Sequence, residues 1–277
     1  MNKTWLITGA SSGLGKIMTT QLLARGDRVV ATARREQALQ ELADQYGEQL
    51  QVLTLDLTDT AQISHVIDHA FARAGHIDVI VSNAGYGLFG PAEQVSDEQI
   101  ERVLATNLTG SIQLIRRSLA HLRAQGGGRI VQVSSEGGQI AYPGFSLYHA
   151  SKWGIEGFVE SVAQEVAPFG IDFILAEPGP TGTNFAAALD LATPSGAYQD
   201  TPAGQVHAMI KSGEFEIRGD AVNTVAAIIQ AADASNPPLR LALGSTAYEN
   251  IHRALTERRE ALEAQRDVAL SADSQEV

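Results

Sequence analysis

Cysteine is absent from the sequence, and long apolar runs are absent as well. Without cysteine, disulfide bonds, cysteine metal ligands and a cysteine nucleophile are all excluded. The apolar run that follows Lys3 is too short for a signal peptide, and no stretch approaches the ~20 apolar residues of a membrane-spanning helix. We therefore expect a cytoplasmic protein that has no membrane partner.

Basic residues are scarce: 20 Lys and Arg stand against 32 Asp and Glu, so the formal net charge is -12. Such an excess of negative charge repels the phosphates of nucleic acids and anionic lipids, and neither is expected as a partner. Charged residues make up only 19% of the chain and hydrophobic residues 44%, which favours a folded core over extended disorder. An anionic ligand would need a local concentration of basic side chains.

Short apolar runs alternate with longer segments of helical period, which is typical of a parallel sheet with crossover helices. The predicted strands are Thr4–Thr8, Arg28–Ala33, Gln51–Leu57, Asp78–Ser82, Arg129–Ser134, Asp172–Glu177 and Leu239–Leu243. The predicted helices are Leu14–Arg25, Arg35–Tyr46, Thr60–Arg73, Asp97–Ala124, Leu147–Ala167, Ala221–Ala234 and Thr246–Asp267. No repeat or linker divides the chain. We expect one α/β domain over residues 1–267, a Rossmann-type doubly wound parallel sheet of about seven strands with helices on both faces.

Two segments lack this alternation. Residues 179–219 hold glycines, prolines and small polar residues without a clear period, which favours a loop or short-helix lid over a substrate. Residues 268–277 are expected to form a flexible C-terminal tail.

A glycine-rich turn follows the first predicted strand and precedes a helix. It reads Thr8-Gly9-Ala10-Ser11-Ser12-Gly13-Leu14-Gly15, with the spacing G-x-x-x-G-x-G. Glycines let a backbone approach a pyrophosphate, and the helix N-terminus supplies free N–H groups and partial positive charge. The alternative is an ordinary strand-to-helix turn. The position between strand and helix favours dinucleotide binding.

Two arginines, Arg34 and Arg35, follow the second predicted strand. NAD-binding folds usually place an acidic residue there to hold the ribose 2′-hydroxyl, whereas arginine suits a 2′-phosphate. A guanidinium can bind a phosphate in bidentate geometry. The alternative is a solvated pair at the start of a helix. The pattern favours NADP(H) as the cofactor, with Arg34 as its contact.

Tyr148 and Lys152 are four residues apart, so on a helix they share one face. The same face continues through Ile155 and Val159 and is therefore expected to pack on the sheet. An ammonium beside a buried phenol favours the phenolate, and we expect it to lower the pKa of Tyr148. Chance pairs at this spacing are common. Ser135, at the end of a predicted strand thirteen residues before Tyr148, adds a third polar group.

In this order and spacing, the motifs resemble those of the short-chain dehydrogenase/reductase family, from Thr8 through at least Thr183. The matching elements are the glycine turn, Asp56, Asn83-Ala84-Gly85, Asn107, Ser135, Tyr148, Lys152, Pro178-Gly179 and Thr183. Ser82 is one departure, because asparagine is common there.

The resemblance implies an oxidoreductase that interconverts a carbonyl and an alcohol with NADP(H). It implies Tyr148 as general acid and base, Ser135 as hydrogen-bond donor to the substrate oxygen, Lys152 on the nicotinamide ribose and Asn107 in the proton path. The implied cofactor contacts are Gly9, Ser11, Ser12, Gly13, Leu14, Gly15, Arg34, Asp56, Leu57, Asn83, Ala84, Gly85, Tyr148, Lys152, Pro178, Gly179, Thr181 and Thr183. Family members often assemble through long helices, so a homodimer or homotetramer is expected.

Candidate substrate contacts are Ser135, Glu136, Tyr142, Tyr148 and Phe185, and Tyr86, Leu88, Phe89 and Gln139 also fall near the predicted pocket. This set indicates a partly apolar small molecule. No metal is expected, because His65 and His69 lie opposite an apolar helix stripe and face solvent. Two alternatives remain open: a non-catalytic NADP-binding regulator on the same fold, and a nucleotide-sugar epimerase or dehydratase.

Overall fold

The computed structural model describes residues 2–193, 196–214 and 216–273. Within these residues the strands are β1 Thr4–Ile7, β2 Arg28–Ala33, β3 Leu50–Thr54, β4 Val79–Ser82, β5 Leu88–Phe89, β6 Gly128–Val133, β7 Ile171–Pro178, β8 Asp190–Leu191 and β9 Arg240–Leu243. The α-helices are α1 Gly13–Ala24, α2 Gln40–Tyr46, α3 Thr60–Ala74, α4 Asp97–Leu104, α5 Ser111–Ala124, α6 Ser146–Val166, α7 Pro202–Ser212, α8 Ala221–Asp233, α9 Ser245–Ala264 and α10 Arg266–Ser271. In this part of the chain no helix is both long and apolar enough to cross a membrane.

The main sheet has seven parallel strands in the order β3-β2-β1-β4-β6-β7-β9. Strand β1 pairs with β2 on one side and with β4 on the other, so the strand order reverses between β1 and β4. In sheets of this kind, ligands bind outside the carboxyl ends of the strands at the reversal. The predicted fold class, with its seven strands, is confirmed. The two-residue strands β5 and β8, which pair with each other, had not been predicted.

Helices cover both faces of this sheet because the strand side chains alternate between two apolar cores. Trp5 and Ile7 of β1 pack with residues of α1 and α8, whereas Leu6 between them packs with residues of α3, α5 and α6. All three side chains are fully buried. Apolar residues on both faces fit a parallel sheet enclosed by crossover helices.

The predicted helix Asp97–Ala124 is not one regular α-helix. It is α4 and α5 joined by a π-helical segment, Ala105–Gly110. The wider turn keeps the helix axis but changes the register of the backbone hydrogen bonds, and such segments frequently occur at functional sites. Asn107 lies in the middle of it, with a nearly fully buried side chain.

Two other predicted helices have different bounds in the structure. The segment Arg35–Tyr46 contains a short 3-10 helix, Glu36–Leu39, before α2, because Arg35 has an extended backbone. At the other end, α9 and α10 carry the helix past Asp267 to Ser271. The first residues of the predicted tail are therefore helical, and residues 274–277 lie outside the described part.

The region predicted as a loop or short-helix lid contains a short strand and an 11-residue helix. Strand β8 and helix α7 lie within residues 179–219, and Thr181 forms a parallel bridge with Gly219 at the base of the segment. Thr201 caps α7 by accepting a hydrogen bond from the Gly204 N–H. Residues 194, 195 and 215 of this region lie outside the described part. Its role as a lid stays a prediction, and so do the domain bounds.

Candidate active site

The four predicted catalytic residues meet at the carboxyl end of β6. Ser135 follows this strand by two residues, Tyr148 and Lys152 lie in the first two turns of α6, and Asn107 approaches from the π-helical segment. Tyr148 is 9% exposed, Lys152 6% and Asn107 1%. Parallel strands and a crossover helix thus bring together residues that are 45 positions apart in the chain, from 107 to 152.

Burial controls the proton of the Tyr148 phenol. It raises the pKa of Tyr148 to about 12, and a hydrogen bond from the Ser135 hydroxyl, which favours the phenolate, lowers this pKa only in part. The negative charges of Glu136 and Glu156 also contribute to this raised value. The expected lowering of the Tyr148 pKa is therefore wrong for this structure, because burial and the two carboxylates together outweigh the hydrogen bond from Ser135.

Lys152 directs its ammonium to the backbone. Its Nζ donates to the carbonyl oxygen of Val133 at 3.1 Å and lies 5.6 Å from the centre of the Tyr148 ring. Burial lowers the pKa of Lys152 to about 8, and the nearby Glu156 carboxylate acts in the opposite direction. Lys152 is therefore a buried cation that donates a hydrogen bond to the end of β6 and lies beside the Tyr148 ring.

Ser135 is held in an extended conformation, with its hydroxyl beside the phenol. The hydroxyl accepts a hydrogen bond from the Gly137 N–H at 3.0 Å and starts the short 3-10 helix Glu136–Gly138. In this structure the hydroxyl proton is directed to the Tyr148 phenol, and the same proton can be donated to the oxygen of a substrate that binds beside the phenol.

Asn107 clamps the loop that follows β4. Its Oδ1 accepts from the Tyr86 N–H at 3.1 Å, and its Nδ2 donates to the Tyr86 carbonyl oxygen at 2.8 Å. Nδ2 also lies 3.3 Å from the Ser151 hydroxyl of α6. A Cβ on Gly85 would lie 3.1 Å from Oδ1 of Asn107 and 3.9 Å from Nζ of Lys152. The loop after β4, the π-helical segment and α6 thus meet around a glycine.

The glycine turn after β1 is joined to the loop after β4. Asn83 donates from Nδ2 to the carbonyl oxygens of Thr8 at 2.9 Å and Gly9 at 3.3 Å. Thr8 Oγ1 accepts from the N–H groups of Asn83 and Ala84. Gly9 has φ +66°, and a Cβ on it would lie 2.9 Å from Cα of Ala84. Only glycine fits there, because both the backbone conformation and the space exclude a side chain.

The start of α1 fits a dinucleotide pyrophosphate. Ser12 makes no capping hydrogen bond with its side chain, and the first turn holds no acidic residue. The N–H groups of that turn are therefore free to bind an anion. Gly13, with φ +52°, faces Thr183 of the loop after β7: the nearest atom to a Cβ on this glycine would be Cβ of Thr183, at 4.0 Å. Ser11 and Leu14 belong to the same turn.

Arg34 is exposed directly after β2 and has no hydrogen bond or ion pair within the described ranges. Asp56 is exposed after β3. Hydrogen bonds from Thr58 hold the pKa of Asp56 below its ordinary value, and the positive charge of Arg34 acts in the same direction. These two side chains lie where the adenosine end of a dinucleotide would be held. Leu57 is buried, and its backbone would collide with a Cβ on Gly110.

The loop after β7 is fixed by the C-terminal part of the chain. A Cβ on Gly179, which follows Pro178, would lie 3.1 Å from the backbone N of Ala247 in α9. Thr181 Oγ1 donates to the Gly179 carbonyl oxygen at 2.8 Å. The proposed nicotinamide-side residues are therefore placed against the helix that follows the last strand.

Two of the predicted substrate contacts have other partners. Glu136 is 2% exposed, and its Oε1 accepts a hydrogen bond from Tyr142 Oη at 2.6 Å, while Asn250 of α9 donates to Oε2 at 3.2 Å. Burial raises the pKa of Glu136 and that of Tyr142. His149 is also engaged, with ring nitrogens 2.8 Å from the Gly137 carbonyl oxygen and from the Tyr142 N–H.

Aromatic rings surround the phenol instead. The ring centre of Phe185 lies 5.8 Å from that of Tyr148, and Phe145 lies 6.1 Å away on α6's N-terminal side. Phe89 packs against Phe145 at 5.0 Å and against His207 of α7 at 5.6 Å. Phe185 and Phe89 were predicted, but Phe145 and His207 were missed, since no periodic pattern connects a loop residue with a helix 62 positions later.

His65 and His69 are both exposed on α3. Among the described residues, no cluster of three or more histidine, aspartate and glutamate side chains could hold a metal ion.

The comparisons with known proteins agree with this geometry. The family model described as short chain dehydrogenase matches residues 3–193. Oxidoreductase BOA17 of Botryotinia fuckeliana is 36% identical over 90% of this chain and 91% of its own length. A short-chain dehydrogenase structure from Streptomyces avermitilis has a TM-score of 0.90 and 35% identity, covering 98% of both chains.

Two further structures of this fold hold nicotinamide cofactors. The closed form of serine dehydrogenase complexed with NADP+ has a TM-score of 0.74 and 25% identity, covering 87% of this chain and 94% of its own. A short chain dehydrogenase/reductase from Burkholderia phymatum in complex with NAD has a TM-score of 0.80 and 22% identity, covering 100% and 98%. On the family match and the sequence relative, this chain belongs to the short-chain dehydrogenase/reductase family of oxidoreductases.

Proposed function

We propose that the chain is an NADP(H)-dependent reductase that converts an apolar ketone or aldehyde into an alcohol, with Tyr148 as the general acid. One observation carries this proposal: a buried phenol lies beside the Ser135 hydroxyl and the Lys152 ammonium, at the sheet edge that also holds the glycine turn, and its burial raises the pKa of the phenol. These groups supply a proton donor, an oxygen-orienting hydrogen bond and a cation at one place.

The residues would divide the work of carbonyl reduction. The bound dinucleotide would supply a hydride to the carbonyl carbon. Ser135 would donate a hydrogen bond to the carbonyl oxygen, and Tyr148 would transfer its phenolic proton to the same oxygen as the alcohol forms. Lys152 would stabilise the phenolate that remains, and water would return the proton.

The raised pKa of Tyr148 keeps the phenol in the protonated form that a general acid needs at the start of a reduction. A phenol whose pKa is about 12 stays protonated at pH 7 and is ready to act as an acid. Oxidation would require the phenolate, which is a minor form at that pH.

Arg34 supports the choice of NADP(H) over NAD(H). Its exposed guanidinium follows β2, where a 2′-phosphate would lie in a fold of this type. The serine dehydrogenase neighbour holds NADP+ and the Burkholderia neighbour holds NAD, so relatives alone leave the choice open. The argument therefore depends on the arginine.

The aromatic rings support an apolar or aromatic substrate. Phe145 and Phe185 flank the phenol, and the carboxylate of Glu136 is bound to Tyr142 and Asn250. Apolar walls with a few convergent polar groups are typical of small-molecule sites. The homodimer or homotetramer and the cytoplasmic location stay predictions.

The test is NADPH consumption with a panel of aliphatic, aromatic and acyl carbonyl compounds. Wild-type protein and Tyr148→Phe are compared, because the variant keeps the ring and loses only the acid. We expect turnover with apolar members of the panel for the wild type alone. NADPH binding without turnover on any carbonyl would favour the non-catalytic regulator.

A further inference from the structure

Two buried glutamates and a partly exposed arginine lie together behind the active site. Glu156 of α6 is 2% exposed and Glu177 of β7 is 1% exposed. Arg240 of β9 binds both from one nitrogen, because Nη1 donates to Oε2 of Glu156 at 2.6 Å and to Oε1 of Glu177. Burying two carboxylates on one guanidinium carries a large desolvation cost and is weak evidence for stability. The cluster therefore calls for another explanation.

Glu156 continues the face of α6 that carries the catalytic pair. Tyr148, Lys152 and Glu156 follow one another at intervals of four residues, so each lies one turn from the next. A glutamate one turn beyond a buried lysine places a negative charge on the same helix face as the ammonium. The Glu156 charge is also the neighbour that favours the charged form of Lys152.

The carboxylate of Glu156 has a fixed position. Its Oε1 accepts a hydrogen bond from the Ser134 hydroxyl, and Ser134 lies between Val133, whose carbonyl binds Lys152, and Ser135. A Cβ on Gly138 would overlap this carboxylate, so the 3-10 helix closes over it. The charge thus remains one turn from Lys152 and has no room to rotate away.

We propose that Glu156 is a positioning residue that keeps the buried Lys152 side chain in its ammonium form at working pH. The inference rests on the proposed function, since the ammonium matters for NADPH binding and for the proton of Tyr148. Without Glu156, a lysine in this apolar site would release its proton at lower pH and lose its hold on the cofactor.

The titratable and polar groups around Glu156 come from five segments of the chain. They are Tyr148, Lys152 and Glu160 of α6, Glu136 of the 3-10 helix, Glu177 of β7, Arg240 of β9 and the neutral Ser134 after β6. Burial, together with the Glu156 charge, raises the pKa of Glu177 to about 7. Arg240 pairs with the carboxylates of Glu156 and Glu177. Lys152 is a second cation that interacts with the charge of Glu156.

The test measures the NADPH dissociation constant of purified protein by fluorescence between pH 6 and pH 10. We expect the wild-type affinity to fall through a midpoint near pH 8, the pKa of Lys152. Glu156→Gln keeps the shape and the acceptor for Ser134 but removes the charge. It should move the midpoint about one pH unit lower, the usual size for losing a close opposite charge.

Glu160→Gln is the matched control. Glu160 also binds Arg240 and lies on the same helix, but it is one turn further from Lys152 and half exposed. In Glu160→Gln the midpoint of the fall in NADPH affinity should stay at the wild-type pH. Glu156→Met removes the charge with similar volume and should reproduce the shift if Glu156→Gln folds poorly, and Glu156→Asp should restore much of the wild-type midpoint.

Each outcome decides the proposal. A lower midpoint in the charge-removing variants alone supports it. An equal loss of affinity at every pH, with an unmoved midpoint, overturns it and leaves Glu156 a structural residue. Equal shifts in Glu156→Gln and Glu160→Gln overturn it too. Wild-type protein that binds no NADPH at any pH overturns the proposed function, and this inference falls with it.

Discussion

Nζ of Lys152 lies 5.6 Å from the centre of the Tyr148 ring, and its hydrogen bond goes to the carbonyl oxygen of Val133. The lysine thus approaches the ring of the phenol, while the Ser135 hydroxyl is the group that hydrogen-bonds the phenol itself. Proton donation and cation placement are therefore separate tasks in this site, and separate substitutions can test them.

Replacing Tyr148 with phenylalanine should abolish the proton donor and leave NADPH binding nearly unchanged. We expect turnover to fall by at least ~10²-fold, the usual range for loss of a general acid. The measurement is kcat on a confirmed substrate together with the NADPH dissociation constant. Near-native turnover in this variant would contradict the assignment of the phenol.

Replacing Lys152 with alanine should damage both turnover and NADPH binding, because we propose that the ammonium binds the nicotinamide ribose as well as stabilising the phenolate. Burial holds the pKa of Lys152 at about 8, so the wild-type rate of reduction should decline as pH rises through this value. The variant should lack that decline. Lys3→Ala is the control. Lys3 directly precedes β1, at the edge of the sheet opposite to the proposed active site, and forms an ion pair with Asp233. A pH 8 decline that survives in Lys152→Ala would contradict the prediction.

Replacing Arg34 with alanine should weaken NADPH binding by ~1–3 kcal/mol, the range for a hydrogen bond to a charged group. NADH binding should change much less, because it lacks the 2′-phosphate. Arg35→Ala is the matched control one residue away. Dissociation constants for both cofactors decide the matter, and an equal loss for NADPH and NADH would remove Arg34 from the phosphate site.

The segment from Asn184 to Gly213 should gain protection from hydrogen exchange when cofactor and substrate bind, since closure over a site excludes water. The side chains of Phe185 and Leu189 already lie so close to Gly87 that a Cβ on this glycine would collide with them. Gly87→Ala should therefore reduce the gain in protection. Equal protection in free protein and ternary complex would show that the segment is no lid.

Replacing Glu177 with glutamine should change stability in a pH-dependent way. Burial raises the folded-state pKa of Glu177 to about 7 from an ordinary value of 4.5. The stability that this proton contributes is present below about pH 4.5 and is lost as pH rises through 7. The wild type should therefore lose stability relative to Glu177→Gln between pH 5 and pH 8, as measured by urea unfolding. A difference that is constant with pH would contradict the raised pKa.

Sequence patterns predicted the features that depend on local rules. The seven main strands are apolar runs bounded by turns, and the glycine turn, Ser135, Tyr148 and Lys152 follow ordered spacings. The π-helical segment around Asn107 could not be predicted, because a single wider turn leaves the apolar period of the long helix almost unchanged.

Buried charges escaped prediction for a different reason. Glu136 depends on Asn250, which is 114 residues later, and Glu156 depends on Arg240, which is 84 residues later. No local period links such partners. Glu156 alone had a signal in the sequence, because it follows Lys152 by four residues. The raised pKa of Tyr148 was missed because its cause, desolvation, requires the packed structure.

The contact of Ala247 with Gly179, together with the hydrogen bond from Asn250 to Glu136, has a consequence for biosynthesis. Domains generally fold as units while the ribosome adds residues from the N-terminus. A nascent chain that has completed β7 already contains every proposed catalytic residue. It still lacks α9, the helix that contacts the loop after β7 and that hydrogen-bonds Glu136, the residue next to Ser135. The catalytic pocket is therefore among the last parts of the protein to mature.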